Sequence, residues 1–285
     1  FLAIYGLSVF PVNFINLITG VLNSKEKMQH MAGASLATIV LTAVFGFAAI
    51  YYKLSLPLLL LSYPTACFIV GAYFLFSAKR LDLILGWKID LDLWKKVLAQ
   101  SWIFAVFTIL AVFYLRATLI MTKTFLGSEA AGIYGSVFKF VEAGILLPQA
   151  FALALFPLSS RLSIDSSRKL VNLYFKGLGI LFLLSLPVAG VLIIFSKQIV
   201  LLAYGGSYSP AIKVLPILGL SLILFFVNSL PGNIIQNSDK VKNFLPLSIL
   251  IFISIYLIGY LIIPIYGLTG AAWAVVAGET IGFIV

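Results

Sequence analysis

The chain has 285 residues, of which 62% are hydrophobic and only 10% charged, and its mean hydropathy is +1.14. Soluble domains carry about 45–50% apolar and about 25% charged residues, so the composition argues against a water-soluble globular protein and for a polytopic membrane protein. The formal charge of +10 falls mostly in the connections between apolar spans, where the positive-inside rule accounts for it; no basic face exists outside that context, and no nucleic-acid partner is expected.

A spanning helix needs about 20 mainly apolar residues. Reading for that length gives nine expected spans, at 2–22, 31–52, 56–77, 98–120, 131–155, 177–195, 212–234, 244–263 and 269–285. Their apolar runs are continuous and do not alternate with period two, which favours helices over a barrel. The chain opens on Phe1 and stops inside an apolar run, so it reads as a fragment of a longer protein.

Lys and Arg set the orientation. One set of connections holds Lys25, Lys27, Lys79, Arg80, Lys88, Lys95, Lys96, Arg161, Arg168, Lys169, Lys176, Lys240 and Lys242; the other holds Lys53, Lys123, Lys197 and Lys213. The first set is therefore expected in the cytoplasm.

The longest connection, Lys79 to Ala99, carries Trp87 and Trp94 among charges. Leu91, Trp94 and Leu98 recur at helical spacing, as in a helix lying along the interface. Asp90-Leu91-Asp92 has the spacing of the acidic pair of many glycosyltransferases, but no segment is long enough to build a soluble nucleotide-sugar site, and a solvated helix face accounts for it better. Lone Cys67 allows no intrachain disulfide, and lone His30 allows no histidine metal cluster.

Pro11, Pro64, Pro148, Pro187, Pro216 and Pro231 fall in or near the middle of spans. Each frees a backbone carbonyl, which fits either bends used in transport or static kinks. Asn16-x-x-x-Gly20 followed by Asn23-Ser24 is echoed by Asn228-x-x-x-Gly232 followed by Asn237-Ser238, on spans with the same direction, as in parallel repeats. The echo divides the chain into 1–80, the end of an N-terminal lobe with three spans; 81–97, a cytoplasmic amphipathic linker; and 98–285, a C-terminal lobe with six.

Arg116, Lys139, Glu142 and Glu279 lie well inside spans, where a charged residue near the centre costs about 2.5–3.5 kcal/mol and is expected to face a bundle interior or a wet cavity. Lys139 and Glu142 are three apart on one helix face near the midplane; they form either an internal salt bridge or a cavity-facing pair that a substrate rearranges. Arg116 lies about 6 Å from the outer end of the span 98–120 at the helical rise, and either snorkels or turns inward, where guanidinium geometry suits phosphate. Glu279 stands alone near the midplane. It is either a proton or sodium site or a neutral acid bonded to a neighbouring helix. No phosphate-binding loop, no Gly-x-Ser-x-Gly and no His-Glu-x-x-His occurs, so no enzyme is expected.

Three stretches carry a family likeness: Gly132-Ile133-Tyr134 through Glu142-Ala143 to Leu155-Phe156-Pro157-Leu158-Ser159-Ser160-Arg161; Tyr204-Gly205-Gly206-Ser207-Tyr208 with Val214-Leu215-Pro216-Ile217-Leu218; and Ile263-Pro264-Ile265-Tyr266-Gly267-Leu268-Thr269-Gly270-Ala271-Ala272 with Ala274 and Glu279. Together they resemble the polysaccharide-transporter family of oligosaccharide flippases, the Wzx type, over helices four to twelve. The resemblance implies an all-α, two-lobed transmembrane bundle related to multidrug and toxin extruders. It also implies a lipid-linked oligosaccharide cargo, such as a polyprenyl-pyrophosphate glycan for polysaccharide or O-antigen export, moved by alternating access with no cofactor beyond H+ or Na+ coupling. Partners implied are the lipid bilayer, the lipid-linked glycan, and a polysaccharide polymerase with glycosyltransferases. Carried over, Arg116 matches the family's basic position near the outer end of helix seven, and Lys139 and Glu142 match its polar helix eight; the intramembrane charge beside kinked helices then leads to the expectation that Arg116, Lys139 and Glu142 bind substrate and that Glu142 and Glu279 serve ion coupling. Many members have an acid two residues after that arginine; here it is Thr118, so an ion-coupling role for that acid does not transfer. The competing expectations are a multidrug or toxin cation extruder, which calls for an acidic, aromatic-lined cleft, and a non-transporting scaffold of a glycan-assembly complex.

Overall fold

The computed structural model describes residues 6–24, 28–77, 90–165, 167–236 and 241–284. Every regular element among them is helical: α1 (Val9–Ser24), α2 (Met28–Tyr51), α3 (Leu56–Leu60), α4 (Ser62–Ser77), α5 (Leu91–Asp165), α6 (Ser167–Ile194), α7 (Ser196–Tyr204), α8 (Val214–Gln236) and α9 (Leu245–Ile284), with 3-10 turns at Gly206–Lys213 and Val241–Phe244. Lys25, Lys27, Lys79, Arg80, Lys88, Trp87, Lys240 and Asn237 to Asp239 lie outside the described residues, as do the side chains of Arg161, Arg168 and Lys169.

Two helices are too long for one crossing. The apolar segments Ser101–Ala152 and Lys242–Ile284 run 52 and 43 residues, against the roughly 20 that span a bilayer. Each is broken by a glycine: Gly127 at φ 87° inside α5 and Gly267 at φ 61° inside α9. Only glycine adopts such angles without a Cβ penalty, so each break reverses the chain between two membrane arms, and every expected span meets a helical arm. The break at Leu61 between α3 and α4 has a similarly local cause, because Pro64 lacks an N–H for the carbonyl of Leu60, where α3 ends.

The chain divides into two compact units, residues 1–90 and 91–285. The boundary falls inside the stretch 81–97, and Leu91, Trp94 and Leu98 are exposed turns of the helix that also carries Arg116, continuous with it. In the first unit α1, α2 and α4 meet over Ile18, Leu22, Ala34, Val70 and Phe74. In the second, both arms of α5 pack with α6, α8 and α9 over a core that includes Tyr134, Leu181, Leu218, Phe226, Ile255 and Val275.

The burial pattern inverts the one found in water. Phe10, Phe47, Phe76, Leu202 and Ile265 are among many large apolar side chains left exposed, whereas Ser185, Ser221, Thr118 and Thr122 are buried. A lipid-facing surface accepts the former, and close helix contact in lipid depends on small residues and satisfied hydroxyls. Ser185 and Ser221 donate to carbonyls three residues back, at 2.6 and 2.7 Å. Gly270 lets the two arms of α9 touch, since a Cβ there would lie 2.7 Å from the Ile262 carbonyl oxygen.

Candidate functional site

Arg116, Lys139 and Glu142 come together on the two arms of α5. Arg116 Nη1 and Lys139 Nζ each donate to a different oxygen of Glu142 at 2.6 Å. The levels agree: Arg116 lies about 16 Å from the Gly127 turn on one arm, and Lys139 and Glu142 about 18 and 22 Å on the other, at 1.5 Å per residue. The first arm of α5 continues past residue 120 to the Gly127 turn, so Arg116 lies farther from that helix end than the roughly 6 Å read from the sequence at the helical rise, and its guanidinium is paired with Glu142. Two cations share one carboxylate, so the cluster keeps one net positive charge. Its side chains are 44%, 62% and 25% exposed for Arg116, Lys139 and Glu142 within the second unit.

Glu279 belongs to a separate site. Its side chain is 5% exposed. Tyr114 Oη donates to Oε1 at 2.7 Å, and Asn228 Nδ2 donates to Oε2 at 2.8 Å and to the Glu279 main-chain oxygen at 2.9 Å. The latter contact fixes the amide orientation, because a carbonyl oxygen can only accept. Tyr114 from α5, Asn228 from α8 and Glu279 from α9 thus tie three helices together. Their small neighbour Gly278 makes room: a Cβ there would meet the Tyr114 hydroxyl at 3.0 Å.

These residues line a cavity of about 570 Å³, with Phe107, Tyr174, Phe225, Phe244, Phe252 and Phe283 among its walls and Gln149, Ser229 and Ser248 as further polar groups. Glu279 is the one charged side chain among the lining residues. Arg116, Lys139 and Glu142 are not in that lining, so the sequence-predicted residues separate into an exposed basic cluster and a buried acidic one.

Thr118 is buried and shares a 2.8 Å hydrogen bond with the equally buried Tyr134 hydroxyl. Thr122, one turn further, donates to the Thr118 carbonyl at 2.6 Å. The threonine therefore completes a satisfied polar contact inside the core.

The family model described as "Polysaccharide biosynthesis protein" matches residues 1–213. The chain belongs to that family. No curated sequence matches it significantly. Among solved structures it is similar to an outward-facing multidrug resistance MATE family transporter of the MOP superfamily, at 18% identity and a TM-score of 0.73, with 96% of this chain and 64% of that one covered. It is also similar to a MATE protein crystallised in complex with MaL6, at 18% identity and a TM-score of 0.72, covering 65% of that chain, and to a proline-to-alanine MATE mutant, at 19% and 0.74, covering 66%. The fold is therefore the two-lobed all-α transmembrane bundle expected from the sequence, and the chain spans 64% of the first of these proteins.

Within this member of the polysaccharide biosynthesis family, sequence reading missed Tyr114 and Gln149 and met Asn228 only as part of an internal echo. An aromatic residue in an apolar span reads as core, and the available signal was the i, i+4, i+8 polar stripe Tyr114, Thr118, Thr122 on one face. The two echoed asparagines differ in role. Asn228 binds Glu279, while Asn16 is exposed in its own unit and its carbonyl accepts from Thr19 Oγ1.

Proposed function

We propose that the chain is part of a lipid-linked oligosaccharide flippase of the cytoplasmic membrane. It would move polyprenyl-pyrophosphate glycan precursors outward by alternating access and deliver them to polymerising partners. The observation that carries this reading is the cluster at Glu142, where two cations on neighbouring arms converge at membrane depth and leave a net positive charge accessible. A pyrophosphate offers more anionic oxygens than a carboxylate, and guanidinium and ammonium groups bind such oxygens strongly. Glu142 holds the cations in place between cargoes, and Glu279, on its own helix tie, serves the coupling ion. The family match supports a glycan-related cargo. Reconstituted full-length protein with Arg116→Ala and Lys139→Ala tests it: loss of labelled lipid-linked glycan translocation in both is expected, and undiminished transport by both removes the charge clamp.

One observation favours a second reading. The Glu279 cavity is acidic and aromatic-lined, which suits an organic cation, since ring faces and a carboxylate both attract one. Cationic-dye export that is lost in Glu279→Gln supports an extruder; glycan transport without dye export rules it out. Either reading fits a charged group on a cavity better than a non-transporting scaffold does.

A further inference from the structure

Measured from the two glycine turns, the Glu279 site sits at one level. Tyr114 is about 20 Å from Gly127 and Glu279 about 18 Å from Gly267, at 1.5 Å per residue. The turns lie at the same end of the six-helix unit, because Phe125 contacts the Tyr260 ring at 5.6 Å. On the turn side of that level the interior is packed, with Thr118, Thr122, Tyr134, Ile263, Ala272 and Val275 all buried; the hollow at Met121, Phe125, Tyr256 and Tyr260 is an outward-facing apolar groove that offers no hydrophilic route to the carboxylate. On the opposite side the cavity extends past Gln149 and Ser248 to Tyr174, Phe244 and Phe283, at the end where Lys95, Lys96, Lys176 and Lys242 are exposed.

Glu279 accordingly has a path to one side only, and that path runs inside the six-helix unit. The groups that meet the carboxylate decide what it exchanges. Both of its oxygens are taken by donors, Tyr114 Oη and Asn228 Nδ2. Hard cations are held by oxygen ligands, about six or more for calcium and magnesium, whereas the Asn228 amide presents nitrogen to the carboxylate. The remaining polar lining groups are Gln149, Ser229 and Ser248, and the ionisable ones are Tyr114, Tyr174 and Glu279 itself. No lysine, arginine or second carboxylate among the lining residues from α5, α6, α8 or α9 faces Glu279.

We propose that the cavity is a one-sided vestibule through which Glu279 exchanges a proton, and no metal cation, with the compartment on the basic-loop side. The proposal rests on the coupling role given to Glu279 above and deepens it by naming the ion and its route. Proton binding turns one carboxyl oxygen into a donor, so the contact on that oxygen, Tyr114 Oη at Oε1 or Asn228 Nδ2 at Oε2, must turn or weaken; the tie of α9 to α5 and α8 therefore depends on the proton.

The test uses full-length protein in proteoliposomes of defined orientation and no glycan. A membrane-impermeant maleimide should label Ser248→Cys from the basic-loop side alone, and leave Thr118→Cys and Thr122→Cys unlabelled from either side. A hydrophobic carbodiimide, which adds to protonated carboxyls, should give one adduct on the Glu279 peptide by mass spectrometry. That adduct should be absent in Glu279→Gln and fall roughly tenfold per pH unit on the alkaline limb, with no protection by sodium at constant ionic strength. Labelling of Ser248→Cys from the opposite side, sodium protection at fixed pH, or no adduct on folded protein at any pH overturns the proposal. Absence of glycan transport with this labelling pattern intact would instead count against the flippase reading alone.

Discussion

Glu142→Gln isolates the charge logic of the basic cluster. The substitution keeps the side-chain shape and removes the carboxylate that Arg116 and Lys139 each hold at 2.6 Å. On the reading that the cluster borders a hydrated cargo route its structural cost is small, because solvated ion pairs are worth about 0.2–1 kcal/mol and the two cations are 44% and 62% exposed. The effect on an anion is larger. Removing a negative charge about 4 Å from a bound phosphate relieves about 1 kcal/mol of repulsion even in a water-like dielectric, which is about fivefold in Kd. A fluorescent polyprenyl-pyrophosphate saccharide titrated onto the reconstituted full-length protein should bind about fivefold tighter at low salt, with the gain shrinking as the Debye length shortens. Turnover should fall, because the carboxylate that reclaims the cations on release is gone. Unchanged or weaker binding in Glu142→Gln, with Arg116→Ala also without effect, would refute the idea that this cluster is an anion site held closed by its own glutamate.

Thr118→Val leaves the buried Tyr134 hydroxyl without its partner and should cost about 1–3 kcal/mol, whereas Thr118→Val combined with Tyr134→Phe should recover most of it; a denaturant series in detergent reads the coupling, and additive losses would contradict it. Asn228→Leu strips Oε2 of Glu279 of its donor and should destabilise the six-helix unit by about 1–3 kcal/mol, while Asn16→Leu, exposed in its own unit, should leave thermal unfolding unchanged. Gly270→Ala drives a Cβ against the Ile262 backbone and should lower stability by about 1–3 kcal/mol; Gly190→Ala, whose Cβ meets nothing within 4 Å, should be neutral or stabilising, and equal losses at both sites would refute the close approach of the α9 arms.

The sequence by itself determined the solvent and the apolar runs that form the membrane arms. Hydropathy is additive along the chain, and a bilayer admits few backbone solutions, so a run such as 244–263 needs no partner to be recognised. It also exposed Lys139 and Glu142 as a pair, because three residues along a helix is a local distance. Tertiary structure decided the rest. That Arg116 shares Glu142 follows from the reversal at Gly127, which brings residues 26 positions apart to one level. That Glu279 is held by Tyr114 and Asn228, across separations of 165 and 51 residues, depends on how three helices pack, and an apolar span carries no pattern that says which of its polar groups will meet. In lipid, greasy residues describe the outside of the bundle; the few hydroxyls, amides and carboxylates that face inward acquire their chemistry only once the helices are in contact.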